Sequence, residues 1–411
     1  MPHGLTNSKI WGAPKKFGNT NGERKISWLE LFYDLVYVIA ISKLTAYFSL
    51  HSDFNGFLDY VYVFGFVYWG WLNGSLYHDF TGNNGLRSRF ITLWQMLLVA
   101  ILIVSFSSSP DKIFFRTTIA TMCLQLYITY IWFSLNFYNK DSRRGNIPYT
   151  VLYLISFCLM GFTLFFPVGE KRPFSIRAVF YVALILNFIP PFFSVRILKM
   201  RNLDISLSSS MMERLGLIVT IVFGEVVLSV INGISDAKDL NFENILVFAL
   251  GIVITFILWW IFFDLIGNRE AKKGFANATF IELSFIPALM VLGMIAVSFH
   301  DIYLAYFQHN LSKMGEFQET FGLRVAIFLS SILLITYFLN FEAEDKRPGL
   351  QLRGVIYLCV IAILLFTNII HGLSLIDYFL LILGILSIIV VFIVRIWLIY
   401  GEIQAEKFHE N

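Results

Sequence analysis

Apolar residues run along this chain in stretches near twenty, each closed by a short polar break, and the pattern recurs from residue 26 to residue 400. Twenty helical residues rise about 30 Å, the thickness of the hydrocarbon core of a bilayer. Read this way, the sequence predicts spans near 27–50, 56–78, 90–108, 113–137, 147–167 and 174–197. A second set follows near 212–233, 242–266, 277–300, 321–341, 353–371 and 375–400. The expected fold class is an all-α integral membrane protein of about twelve transmembrane helices, with no soluble domain large enough to act alone.

Composition strengthens that reading. Hydrophobic residues make up 57% of the chain and charged residues only 14%, against about 25% charged in an ordinary soluble protein. The net charge of +3 gives no argument for a nucleic-acid partner. Cys123, Cys158 and Cys359 fall inside apolar runs and read as small buried hydrophobes. The first apolar run contains Glu30, Asp34 and Lys43, so it reads as a retained span and not as a cleaved signal peptide.

Charge also sets an orientation. With twelve spans, the even loops share one side with both termini, and that side collects 21 of the Lys and Arg residues against 8 on the other. Basic loops stay in the cytoplasm, so both termini are expected inside, in a bacterial inner membrane.

The two sets of six spans resemble each other. At an offset of 191, Phe32, Asp34 and Val36 meet Phe223, Glu225 and Val227, while Trp69 and Asn73 meet Trp260 and Asp264. At 204, Leu135-Asn136-Phe137 meets Leu339-Asn340-Phe341, and at 199, Val195-Arg196-Ile197 meets Val394-Arg395-Ile396. The order of the matches and their slow drift predict two six-helix repeats of parallel orientation, related by an axis along the membrane normal. The expected organisation is a basic cytoplasmic segment at 1–25, a first repeat at 26–200, a linker at 201–211, a second repeat at 212–400 and a tail at 401–411.

Candidate chemistry comes from the few polar residues inside spans. A charged side chain at mid-membrane costs roughly 2.5–3.5 kcal/mol on insertion scales, so those present face a bundle interior or a watery path. Glu30 and Asp34, four apart, share a helix face, and Asp34 has its duplicate in Glu225. Repeated carboxylates supply the negative potential that a cation or proton path needs. They are equally readable as acids tied to Arg214 or Lys43. Asn73 and Asp264 lie near tryptophans, as a candidate vestibule or as polar members of an aromatic belt. Glu213 and Arg214 read as structural anchors, and Asn136 and Asn340 as hydrogen-bonding amides between helices. Glu282 and His300 are placed at the two ends of the ninth span. The seven histidines are scattered, which predicts no metal site. No P-loop or other enzyme motif occurs, which predicts no cofactor and no enzyme.

The run Leu29 to Val38 resembles the opening motif of the low temperature requirement protein A family of bacterial membrane proteins. Glu213 to Ile218 followed by Gly224-Glu225 is similar to its second motif, and Trp259 to Asp264 to a third. Members often carry a histidine shortly before the Glu-Arg pair, whereas Ser208 to Met212 contains none. The resemblance implies a multispan membrane protein linked by name to growth in the cold, and implies no biochemical activity. The first span also resembles, more distantly, the signature of endosomal and lysosomal potassium channels built from two six-span repeats. It shares Phe32, Asp34, Val36, Ile39 and Ala40, but Trp28 replaces their arginine.

The expectation is permeation of a small cation or proton through a pseudo-symmetric bundle lined by Asp34, Glu225 and their neighbours. The alternative is a secondary transporter of a small solute, and the third class is an intramembrane enzyme acting on lipid. Partners are membrane lipid and the permeating species, with a homo-oligomer possible.

Overall fold

Inside hydrocarbon each backbone N–H and C=O must find its partner within the protein, and a helix does this within one segment. The computed structural model describes residues 26–51, 53–81, 85–106, 110–138, 143–166, 174–199, 207–235, 241–267, 269–308, 310–340, 346–369 and 372–409. Among these residues no sheet forms, and a single antiparallel bridge joins Ala271 to Leu339. The basic segment 1–25 and most of the linker 201–211 lie outside the described residues.

Thirteen helices are described: α1 Trp28–Leu50, α2 Phe54–Thr81, α3 Leu86–Ser105, α4 Pro110–Tyr138, α5 Arg143–Thr163, α6 Phe174–Phe188, α7 Pro190–Lys199, α8 Ser209–Ser235, α9 Phe242–Phe262, α10 Phe275–Phe307, α11 Leu311–Thr336, α12 Lys346–Ile369 and α13 Leu375–His409. The α6–α7 break falls at Ile189, before Pro190-Pro191, because proline disfavours helical geometry in the residue before it and donates no N–H. The two pieces still serve one span, Ser175–Ser194. Among the described residues, eleven helical spans are long and apolar enough to cross a membrane. The remaining long helix, α2, is roughly 42 Å long at 28 residues, but its tyrosines and tryptophans make it less apolar. This is a multi-pass, all-α membrane protein.

Two predicted placements change. Helix α11 begins at Leu311, ten residues before the predicted start at 321. Lys313, Glu316 and Glu319 interrupt the apolar run without interrupting the helix. Helix α10 continues to Phe307, which puts Glu282 and His300 inside it and not at its ends.

The helices gather into two compact units. The first holds the residues up to Ile218 with Lys273–Glu282. Its axis is α2, which packs against α1, α3, α4 and α6, while α4 packs on α5 and α5 on α6 and α7. Phe64, Phe66, Tyr68, Trp69 and Trp71 are all buried, so α2 is covered on every side. A helix that is apolar or aromatic all round finds its stable place there. The second unit holds Val219–Lys272 and the residues from Leu283 onward. In it α9 packs on α13, α13 on α12 and α12 on α11. A single π-helical turn, Phe263–Gly267, extends α9 and reaches α11.

Candidate functional site

The N-terminus of α1 is fixed locally. Ser27 Oγ accepts from the Glu30 N–H at 3.3 Å, a side-chain N-cap, and donates to Glu30 Oε1 at 3.0 Å. Glu30, expected as a path residue, is thus tied to the helix end. One turn on, on the same face, stands Asp34.

Asp34 is fully buried and carries a two-pronged ion pair. Arg214 Nη2 donates to its Oδ1 at 2.5 Å and Arg214 Nε to its Oδ2 at 3.3 Å. Trp71 Nε1 on α2 donates to the same Oδ1 at 2.7 Å. The fork geometry of guanidinium on carboxylate is the strongest form such a pair takes. Arg214 is 2% exposed, and its Cζ lies 5.6 Å from the Tyr33 ring centroid and 5.8 Å from that of Trp71. Glu30 adds its charge to the field on Arg214. Arg214 Nη1 is buried with no hydrogen-bond partner among the described residues. The neighbouring Glu213 is exposed, as a step of about 100° around a helix requires.

A second cluster lies beside the pair. Tyr33 Oη donates to the carbonyls of Gly70 and Trp71, each at 3.2 Å. Gln95 on α3 donates to Tyr33 Oη at 2.8 Å, to Tyr37 Oη at 3.0 Å and to the Gly70 carbonyl at 2.8 Å. This approach needs Gly74, where a Cβ would stand 2.1 Å from Tyr33 Oη. Asn73, read from the sequence as part of a vestibule or as a polar member of an aromatic belt, is the hub of a buried aromatic group in unit 1. Its Oδ1 accepts from Trp132 Nε1 at 2.7 Å and Tyr153 Oη at 2.8 Å, and its Nδ2 donates to the Trp69 carbonyl at 2.8 Å. Gln125 and Asn187 form a reciprocal amide pair at 2.9 and 2.8 Å. Asp79 accepts from Ser208 and Ser210, each at 2.7 Å.

The other candidates are placed differently. Glu225 is half-buried on the part of α8 that belongs to the second unit. Asp264, in the π turn, accepts at 2.7 Å from Nε1 of Trp260, four residues back at the end of α9. Asn136 Oδ1 is buried and has no hydrogen-bond partner among the described residues. Asn340 lies past the end of α11, where its N–H donates to the Glu270 carbonyl at 2.9 Å and fastens a loop. Among the described residues no three His, Cys, Asp or Glu side chains form a group able to hold a metal ion.

Trp71, Gln95, Gln125 and Asn187 were not singled out in the sequence. The signal existed for the amides, since a Gln or Asn alone in an apolar span must find a partner. For Trp71 it did not, because nothing local distinguishes it from Trp69. Together these groups form a buried polar layer in unit 1 around the Asp34–Arg214 ion pair. Comparison with curated proteins finds no match. The sequence does match the family described as bacterial low temperature requirement A protein (LtrA) over residues 25–394, and with that nearly complete coverage the chain belongs to the low temperature requirement A family.

Proposed function

We propose that this protein moves a small cation or proton across the bacterial inner membrane, and that the Asp34–Arg214 pair is the element that opens to let it pass. The observation that carries this reading is the burial of two opposite charges, 0% and 2% exposed, in a membrane protein. Removing such charges from water costs several kcal/mol per ion, and apolar residues of similar volume fill the same space at no such cost. An intramembrane ion pair is therefore a functional element by default. Protonation of Asp34, or arrival of a competing cation, removes the attraction that holds Arg214, so the pair couples occupancy to conformation.

The same burial favours the carrier form of the reading over an open pore. A conducting pore keeps its carboxylates wet, whereas Asp34 is sealed by Trp71 and Arg214. An occluded state is what a secondary transporter must visit.

The test uses the full chain in proteoliposomes under an imposed proton or potassium gradient. Saturable exchange marks a carrier and steep conductive current a channel. The double variant Asp34→Leu with Arg214→Met removes both charges together, so it is expected to fold and to lose flux. Full flux in that folded variant would sink the proposal. The orientation, with both termini in the cytoplasm, is tested by Lys346→Cys, which an impermeant thiol reagent should fail to modify from outside the cell.

A further inference from the structure

Independently of any permeation, we propose that the flank of α3 and α4 in unit 1 is a binding groove for one anionic phospholipid. A cavity of about 490 Å³ lies there, lined by Arg87, Phe90, Ile91 and Trp94 of α3 and by Tyr127 and Tyr130 of α4. The α3 residues follow the 3-4 spacing of one helix face, so they form a continuous wall. Phe90, Trp94 and Tyr130 are 48%, 55% and 60% exposed, and the groove is therefore open sideways, where lipid lies.

Its two ends differ in chemistry. Arg87 is in the first turn of α3, is only 8% exposed, and is held by a bond from Nη2 to Ser134 Oγ at 3.1 Å. Gly85, the N-cap, has no side chain to cap that turn, and the positive end of the helix dipole lies at the same place. Trp94 lies two turns further along, roughly 10 Å deeper. Cationic at the helix end and aromatic towards the interior, the groove matches a phosphate headgroup with its acyl chain attached. Neither a soluble anion nor a neutral lipid uses both ends. Tryptophan and tyrosine at this level suit the interface between headgroups and hydrocarbon.

Native mass spectrometry of the detergent-solubilised full chain, titrated with phosphatidylglycerol and with phosphatidylcholine of the same acyl chains, measures the preference. Wild type is expected to retain the anionic lipid selectively, and Arg87→Gln to lower that selectivity about five-fold. Because Arg87 also bonds Ser134, Trp94→Ala and Tyr130→Ala provide variants whose truncated rings are already half exposed. They should weaken retention of phosphatidylglycerol with the melting temperature unchanged. Soluble glycerol phosphate should not displace the lipid. Unaltered retention in both ring variants overturns the proposal. So does displacement by glycerol phosphate at matching concentration, or a dimer of the chain whose formation expels the lipid.

Discussion

The first and second units treat the same sequence pattern in opposite ways. At the offset of 191, Asp34 answers Glu225 and Asn73 answers Asp264. In the first unit Asp34 is sealed by three donated hydrogen bonds and Asn73 joins three aromatic side chains or their carbonyls. In the second unit Glu225 is half-buried and Asp264 has its tryptophan contact four residues away. Bulk is exchanged as well. Tyr33 packs against Gly74, whereas the corresponding positions hold Gly224 and Leu265. The division within α8 comes at Val219, the residue that the offset sets against Trp28, where α1 starts. The ten residues of α8 before it, carrying Glu213 and Arg214, belong to the first unit. We read this as a duplicated scaffold in which one copy lent an arginine to the other, and the receiving copy kept the buried charge. The same helix orders pack in each unit, second on sixth, fourth on fifth and fifth on sixth, which supports a common origin.

The comparison breaks most easily at the ion pair. Arg214→Gln leaves Asp34 buried without its cation, and the expected loss is about 3–5 kcal/mol, seen as a collapse in folded yield. Asp34→Asn should lower yield for the reciprocal reason. Glu225→Gln, at a half-buried site, should cost on the order of 1 kcal/mol. Equal losses at Asp34 and Glu225 would mean that the two acids are used alike, and the asymmetry between units would disappear.

A smaller and signed contrast lies at the glycines. In Gly74→Ala the new Cβ meets Tyr33 Oη at 2.1 Å and Gln95 Oε1 at 2.7 Å. Both partners are fixed by hydrogen bonds, so the cost of overpacking is about 1–3 kcal/mol. At Gly224 a Cβ meets nothing within 4 Å. Gly224→Ala therefore gains helix propensity, about 0.5–1 kcal/mol. Thermal melting in detergent should move in opposite directions for the two variants. Movement in the same direction refutes the exchange of bulk.

Most of the helical framework was legible because long apolar runs in a membrane have one outcome. What was not legible has physical reasons. The start of α11 is hidden because charged residues can continue a helix without lying in hydrocarbon. The break at Ile189 is encoded in Pro190-Pro191, but proline is tolerated often enough in membrane helices to leave the break ambiguous: α5 and α10 carry Pro148 and Pro287 inside them. The acid at Asp34 stood out, and Arg214 was one of two cations considered for it. Choosing between them required a contact between residues 180 apart.

The smallest expected effect tests the duplication at its quietest point. Asp264 accepts one hydrogen bond, from Trp260 Nε1 at 2.7 Å, and is half-buried. Its counterpart in the first unit, Asn73, is already an amide that accepts tryptophan N–H through Oδ1. Asp264→Asn keeps an acceptor at the same position and loses only the charge assistance, which at a partly solvated site amounts to a few tenths of a kcal/mol. A melting temperature within about 2 °C of wild type is expected, with flux unchanged. A loss several times larger would show that the charge of Asp264 has work that Asn73 does not share. The two positions would then be alike in sequence and unlike in use, and the resemblance at the ends of α2 and α9 would no longer support a common role.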